Sequence, residues 1–329
     1  MAAQPCPDNQ AAGPLAEDDS DSQPSPGMDA GAAFTLIGAA CLRQLSANEA
    51  ATIQRDPEAL HQMRIALRRL RAAISLFSQV VNDDRVEAIK TELKWLGQEL
   101  APARDLDSLL IEVIKPLRKQ HATAPGFVSV ARIFARERLK SYRRAQAAVQ
   151  SPRFHALMVD SAEWIRSGPW STSDDPQAIA HRNQPIEILA AEQLSRRRKR
   201  IRRRGRDIDS LDPEQLHTLR IHVKKARYAT EFFARLYPDK KAAKRHDRFR
   251  GTLKQLQDCL GGFNDIVMRR TLCTAILSRP GRNLTDEQNR HRAFAAGLII
   301  GDQQAQIQQL KDRLRKTYAR FDKAKPFWT

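Results

Sequence analysis

The stretch DPEALHQMRIALRRLRAA at residues 56–73 recurs 156 residues later as DPEQLHTLRIHVKKARYA at residues 212–229. In both copies an Asp stands where a helix N-cap is expected, a Pro takes the first helical position and a Glu lies in the first turn. Each of these residue types favours the start of a helix at that position. The sequence therefore predicts the same helix twice, and with it an internal duplication of the chain.

Each predicted helix carries a basic stripe beside an apolar one. At about 100° per residue, the basic stripe of the first copy comprises His61, Arg64, Arg68 and Arg71. The equivalent positions of the second copy hold His217, Arg220, Lys224 and Arg227. A solvated helix face would explain one such stripe, but its repetition favours a binding function. Regularly spaced cations suit a polymer of phosphates better than a single small anion.

A second block is also repeated: LKWLGQELAPARDLDSLL at 93–110 matches LKQLQDCLGGFNDIVMRR at 253–270 without a gap. The helical pattern of leucines predicts a helix that stops at Pro102 in the first copy and at Gly261 and Gly262 in the second. Asp105 and Asp265 follow, where they are expected to cap the next helix or to pair with basic residues.

The composition predicts an all-α protein built from two pseudo-symmetric antiparallel helical bundles, because aromatic residues make up only 6% of the chain and alternating β-branched runs are missing. Residues 1–33 are expected to form a disordered acidic tail. The first half then spans about 34–166, a turn-rich linker spans 167–183, and the second half spans about 184–329.

The net charge of +18 indicates attraction to a polyanion or to an acidic surface. Four scattered cysteines lack metal-ligand spacing, so we expect reduced thiols, no metal and no cofactor. We find neither a signal peptide nor a stretch that approaches 18 apolar residues, which favours a soluble, cytoplasmic protein that does not enter a membrane.

The segment SRRRKRIRRRGR at 195–206 leads into the second repeated helix. If those two helices are antiparallel, one flank of the segment, Arg197, Arg200 and Arg204, is expected to face the same anion track. Cations that complement the end of a helix before Gly205 would explain only the last turn.

With HQMRIALRRLRAAISLF, LHTLRIHVKKARYATEFF, the two Leu and Asp blocks and a closing PFW, residues 34–329 resemble the CHAD family, the conserved histidine α-helical domain. The resemblance implies two similar helical bundles around a basic central cleft or pore that binds inorganic polyphosphate, and an association with polyphosphate granules. The residues that carry this implied role are His61, Arg64, Arg68, Arg69, Arg71, His217, Arg220, Lys224, Lys225 and Arg227.

These features predict a stand-alone, non-catalytic polyphosphate-binding protein. The alternative is a nucleic-acid-binding protein that uses the same basic surface, although the stripes lack the interleaved aromatic residues that stack on exposed bases. Weak nonspecific binding of nucleic acids is expected in either case. An enzyme that acts on phosphoanhydrides is a weaker alternative, because the sequence has no P-loop motif and its HD dipeptide, His246 and Asp247, is an isolated pair.

Overall fold

The computed structural model describes residues 23–121, 126–277, 285–305 and 307–328. Within these ranges the chain forms helices and no β-strand, which confirms the all-α prediction. The α-helices are α1 (Ala30–Ala47), α2 (Glu49–Ile53), α3 (Pro57–Leu76), α4 (Val86–Leu109), α5 (Lys115–Gln120), α6 (Phe127–Val149), α7 (Pro152–Ser167), α8 (Pro169–Thr172), α9 (Pro176–Asn183), α10 (Ile186–Arg204), α11 (Pro213–Phe232), α12 (Lys240–Leu277), α13 (Asp286–Ala305) and α14 (Ile307–Lys323). A π-helical turn, Leu110–Ile114, joins α4 to α5, and a short 3₁₀ helix, Ala234–Leu236, follows α11.

The repeated stretches form α3 and α11, which are 20 residues long and begin and end at equivalent positions. Asp56 caps α3 by accepting a hydrogen bond from the Ala59 amide at 2.8 Å. Asp212 accepts one from the Gln215 amide at 2.8 Å, and the Gln215 side chain accepts one in return from the Asp212 amide. The predicted helix starts are therefore confirmed, because each rests on hydrogen bonds local to the segment.

The predicted stop at Pro102 is wrong, because α4 continues through this proline to Leu109. Leu100, Ala103 and Leu106 on either side of the proline are at most 3% exposed and form one apolar stripe. An internal proline costs a helix about 3 kcal/mol. Burial of this stripe offsets that cost, since each buried leucine contributes about 1.5–3 kcal/mol.

The predicted stop at Gly261 and Gly262 is also wrong, because α12 runs through both glycines. Leu260 and Phe263 on either side of them are buried. A Cβ atom added to Gly262 would lie 2.8 Å from Cδ2 of Leu310 in α14. The glycine therefore serves a close approach between two helices instead of ending one.

Two predicted segment boundaries also differ from the structure. The tail was predicted to extend to residue 33, but α1 begins at Ala30, with Asp29 as its N-cap. The chain just before α1 pairs with the start of α10 through an isolated bridge between Asp29 and Pro185, which holds it in place. Residues 1–22 of the predicted tail lie outside the described residues. The predicted turn-rich linker at 167–183 contains the short helices α8 and α9.

One hydrophobic cluster includes buried residues from both predicted halves of the chain. Phe77 and Phe233, which follow α3 and α11 at equivalent positions, contact each other with ring centroids 6.1 Å apart, and both are 0% exposed. The guanidinium of Arg69 in α3 lies 5.2 Å from the ring centroid of Phe232 in α11. These contacts hold the repeated helices together. The division into two pseudo-symmetric bundles stays a prediction.

Helix α1 is the one described helix that is long and apolar enough, by length and composition, to cross a membrane. The sequence analysis did not anticipate this. Phe34, Ile37 and Leu45 of α1 are at most 1% exposed and belong to the same hydrophobic cluster as α3. In this structure α1 is therefore a core helix, and core helices of globular proteins have the same apolar composition.

Candidate functional site

A cavity of about 790 Å³ lies among helices α3, α4, α6, α11 and α12. The two repeated helices contribute cations to it, and the two blocks that follow them in the sequence contribute polar and acidic residues. Its charged and polar lining includes His61, Arg64, Arg68, Arg104, Asp105, Glu112, Glu137, Arg144, His217, Arg220, Lys224, Arg227, Gln257, Asn264, Asp265 and Arg269. The duplicated sequence therefore converges on one site.

The structure separates the predicted binding residues into two groups. Those that line the cavity are His61, Arg64, Arg68, His217, Arg220, Lys224 and Arg227. Those that lie outside its lining are Arg69, Arg71, Arg197, Arg200, Arg204 and Lys225. The α10 arginines are not part of this lining, and their place on the same anion track as the two stripes stays a prediction. Arg69 is 6% exposed and packs on Phe232, so it supports the contact between helices.

Positive charge dominates the cavity, with eight Arg or Lys side chains and four Asp or Glu side chains in its described lining. Arg64 approaches Asp105 at 3.8 Å, and Arg269 pairs with Glu112. In contrast, the buried Nε atoms of Arg68 and Arg220 have no hydrogen-bond partner among the described residues. Buried donors of this kind are costly unless an acceptor binds to them.

Asp105 and Asp265 lie inside α4 and α12 and line the cavity, so the prediction that they cap helices is wrong. Their alternative role, as partners of basic residues, agrees with the 3.8 Å approach of Asp105 to Arg64. Burial raises the pKa of Asp105, while Arg64 opposes this rise and Asp265 adds to it. The two carboxylates therefore reduce the repulsion among the surrounding cations without neutralising them.

Burial and mutual repulsion destabilise the charged forms of the cavity cations. The pKa of Lys224 falls from its ordinary 10.5 to about 7, first through burial and then through Arg220 and Arg68, while Asp265 opposes the shift. Burial also lowers the pKa of Arg64 to about 10 and lowers that of Arg220. An anion in the cavity would reverse these effects, because it favours the charged form of each group.

The two histidines occupy equivalent repeat positions but have different surroundings. Burial, followed by the charge of Arg104, lowers the pKa of His61 to about 4. His61 is therefore neutral near pH 7, whereas an ordinary histidine changes its charge close to that pH. The His217 ring lies with Nδ1 2.8 Å from Oδ1 of Asn264, which accepts a hydrogen bond from it. This contact fixes the orientation of the ring in the cavity wall.

The sequence analysis missed Arg104 and Asn264 as cavity residues. They occupy equivalent positions in the second repeated block, each directly before one of the two aspartates. The charge of Arg104 lowers the pKa of His61, and Asn264 accepts a hydrogen bond from His217. In each copy, the residue directly before the aspartate therefore interacts with the histidine of the repeated helix. Their equivalent positions in the two copies could have indicated a shared role. The predicted helix stops, however, placed both residues in a turn.

His246, the histidine of the HD dipeptide, packs inside the fold. His246 is 8% exposed, and its Nε2 lies 3.0 Å from the carbonyl oxygen of Thr230. Its ring packs against the ring of Phe327, with the two centroids 4.8 Å apart. Across the described part of the chain, no three His, Cys, Asp or Glu residues are grouped so that they could hold a metal ion. Among the described residues, Cys41, Cys259 and Cys273 are buried and form no disulfide bond with one another.

Comparison with known proteins agrees with this architecture. The CHAD domain family model matches residues 36–274. Among solved structures, the CHAD domain from the plant Ricinus communis superposes with a TM-score of 0.72 at 27% sequence identity, covering 91% of this chain and 93% of that chain. PptA from Streptomyces chartreusis has a TM-score of 0.59 at 16% identity, covering 89% of this chain and 100% of that chain, which is a likeness of fold alone. A comparison with curated proteins gave no match. The family match and the shared all-helical fold show that this chain belongs to the CHAD family.

Proposed function

We propose that this chain binds inorganic polyphosphate in the cavity between its repeated helices, without catalysis. One observation carries the proposal: basic residues at equivalent positions of both sequence copies line a single cavity. They are Arg64 and Arg68 from the first copy and Arg220 and Lys224 from the second. Membership of the CHAD family supports the same ligand.

The distribution of charge favours a chain of phosphates over a single small anion. One small anion would reach only a few of the cations that line a cavity of about 790 Å³. A polymer with a negative charge on every unit would reach the cations of α3 and α11 together. It would also offer acceptors to the buried Nε atoms of Arg68 and Arg220. Hydrogen bonds between guanidinium groups and phosphates are among the strongest in proteins.

The lining of the cavity is less suited to nucleic acids. Tyr228 is the one aromatic Phe, Tyr or Trp side chain in the described lining, and it is only 6% exposed. The guanidinium of Arg227 lies 5.5 Å from its ring centroid. Single-stranded nucleic acids bind largely by stacking bases on exposed aromatic rings. The cavity therefore offers phosphate contacts without a stacking platform.

Salt is expected to weaken binding of long-chain polyphosphate steeply. Each phosphate that pairs with a cation releases a counterion, so six or more contacts would reduce affinity about 10³-fold between about 50 and 200 mM salt, by analogy with nucleic acids. Isothermal titration calorimetry over this range measures the slope, and RNA at an equal phosphate concentration serves as competitor. We expect RNA to leave most of the polyphosphate bound. A flat salt response, efficient displacement by RNA, or release of orthophosphate with Mg²⁺ would contradict the proposal.

Lys224 is expected to make binding tighter as the pH falls from about 9 to about 7. Because its pKa in the free protein is about 7 and a bound phosphate raises that pKa, Lys224 takes up a proton on binding. Affinity should therefore rise by up to about tenfold per pH unit in this window and level off below it.

The matched variant is Lys224→Arg, whose guanidinium stays charged across the window. The variant should keep its affinity nearly constant between about pH 7 and 9, apart from changes shared by both proteins. Parallel pH profiles for the two proteins would mean that Lys224 is not the titrating group.

A further inference from the structure

A second pocket, which we call the α10 outer pocket, lies between α10 and the C-terminal part of the described chain. It has a volume of about 710 Å³. One wall carries the cations Arg198, Lys199, Arg202, Arg203 and Arg206, and the other is formed by α14 and the residues after it. None of its lining residues lines the cavity between the repeated helices. The outer pocket is therefore a separate site.

Positive charge in the outer pocket is largely unpaired. Its described lining has five Arg or Lys side chains and one carboxylate, that of Asp322. Arg202 pairs with this carboxylate at 2.5 Å. The lining therefore offers no further carboxylate to the other exposed cations, which are Lys199, Arg203 and Arg206. A segment rich in carboxylates would complement this charge.

The chain that precedes α1 contacts α10 on the side of this pocket. The amide of Gly27 donates a hydrogen bond to Oε1 of Glu187, in the first turn of α10, at 2.7 Å. At about 100° per residue, Arg198 and Arg202 lie within about 60° of Glu187 around the helix. One side of α10 therefore carries both the contact with the N-terminal part of the chain and the cations of the outer pocket.

The residues after α14 lie between this contact and the pocket. The ring centroid of Phe327 lies 5.3 Å from that of Tyr237. Burial, followed by the charge of Glu187, raises the pKa of Tyr237 to about 12, so Tyr237 lies near the start of α10. Trp328, the next residue after Phe327, lines the pocket, and its Nε1 donates a hydrogen bond to Oγ of Ser195 at 2.8 Å. The start of α10 and the outer pocket are therefore neighbours along the C-terminal segment.

The acidic residues at the N-terminus are close enough in sequence to reach the pocket. Residues 1–22 contain five Asp or Glu and no Lys or Arg, and four of these acids lie within residues 17–21. The four precede Gly27 by six to ten residues, so an extended chain reaches about 20–35 Å from the Gly27 contact. Along α10, at 1.5 Å per residue, Lys199 lies about 18 Å beyond Glu187. The reach of the acidic segment therefore matches the position of the pocket cations.

We propose that the acidic segment, residues 17–21, docks in the α10 outer pocket of the same chain. Ion pairs between exposed groups are weak one at a time. A tether makes their formation intramolecular, with an effective concentration on the order of millimolar, and four carboxylates act together. The docked segment covers the outer face of α10 and leaves the cavity between the repeated helices to its own ligand.

Zero-length cross-linking of the full chain tests the proposal. A carbodiimide joins a carboxylate to an amine only when the two groups are in contact, and Lys199 is the one lysine in the described lining of the pocket. At low salt and low protein concentration, we expect mass spectrometry of the monomer to find residues 17–21 linked to Lys199. Salt at about 1 M shortens the screening length to about 3 Å and should remove most of this product.

A pocket variant and a matched control separate docking from general attraction. The pocket variant carries Arg203→Ala and Arg206→Ala. The control carries Arg196→Ala and Arg200→Ala, which remove the same charge from exposed positions of α10 outside the pocket lining. Cross-linking to Lys199 should slow about three- to tenfold in the pocket variant and less than about twofold in the control. Circular dichroism is used to check that both variants retain their helices.

Three results would overturn the docking site. Equal slowing in the two variants would mean diffuse attraction to α10. Links mainly to Lys224 would place the acidic segment in the cavity between the repeated helices. Absence of a link to Lys199, which is exposed, would mean that the segment does not occupy the outer pocket. No polyphosphate is present in this experiment, so its outcome is independent of the proposed function.

Discussion

Polyphosphate binding is expected to fall by about a thousandfold or more when Arg64, Arg68, Arg220 and Lys224 are all replaced by alanine. Each charged hydrogen bond contributes about 1.5–3 kcal/mol, and every 1.4 kcal/mol changes affinity tenfold. Arg220→Ala alone should therefore weaken binding by about tenfold to a hundredfold. The combined loss is smaller than the sum of the single losses, because these side chains act on one another.

The control for this experiment removes four exposed cations at the start of α12, by replacing Lys240, Lys241, Lys244 and Arg245 with alanine. Both variants lose the same formal charge, so general attraction to a polyanion is reduced equally. We expect the control to keep its affinity within about tenfold. Equal losses in the two variants would show that net charge, and not the cavity, determines binding. Circular dichroism is used to check that each variant retains its helices.

Phe77→Ala is expected to lower the free energy of unfolding by about 3–5 kcal/mol, the usual cost of truncating a fully buried phenylalanine. Phe77 is 0% exposed. Its ring centroid lies 5.6 Å from that of Phe34 and 6.1 Å from that of Phe233. Its loss leaves a void where the ends of the repeated helices meet. Urea unfolding followed by circular dichroism measures the change.

Phe294→Ala provides the comparison, since Phe294 is 52% exposed. This substitution should change the free energy of unfolding by less than about 0.5 kcal/mol, as surface substitutions usually do. A loss below about 1 kcal/mol for Phe77→Ala would show that the contact between the repeated helices is not well packed in solution.

The starts of α3 and α11 could be predicted because their causes are local. An Asp cap and a Pro at the first position act within one turn, and the two copies gave the same prediction twice. The continuation of α4 through Pro102 could not be predicted in this way. It depends on burial of Leu100 and Leu106 against other parts of the chain, which a local pattern does not report. The helix stop predicted at Gly262 was wrong for the same reason. This glycine allows a close approach to Leu310 of another helix, which the local sequence does not report.

The sequence predicted the residues that line the cavity better than it predicted their pKa values. Helical periodicity grouped His61, Arg64 and Arg68, and the repeat identified their counterparts, so most of the basic lining followed from sequence. Arg71 belongs to the same predicted stripe but lies outside the cavity lining, so its part in binding stays a prediction. The low pKa of His61 was unpredictable, since it arises from burial and from Arg104 on α4.

The central claim is that polyphosphate lies in the cavity between α3 and α11, and a crystal structure of the chain with polyphosphate tests it most directly. The account predicts consecutive phosphates in the cavity, with oxygens about 2.7–2.9 Å from the guanidinium nitrogens of Arg64, Arg68 and Arg220 and from Nζ of Lys224. An empty cavity, with phosphates bound only at other basic surfaces, would contradict it.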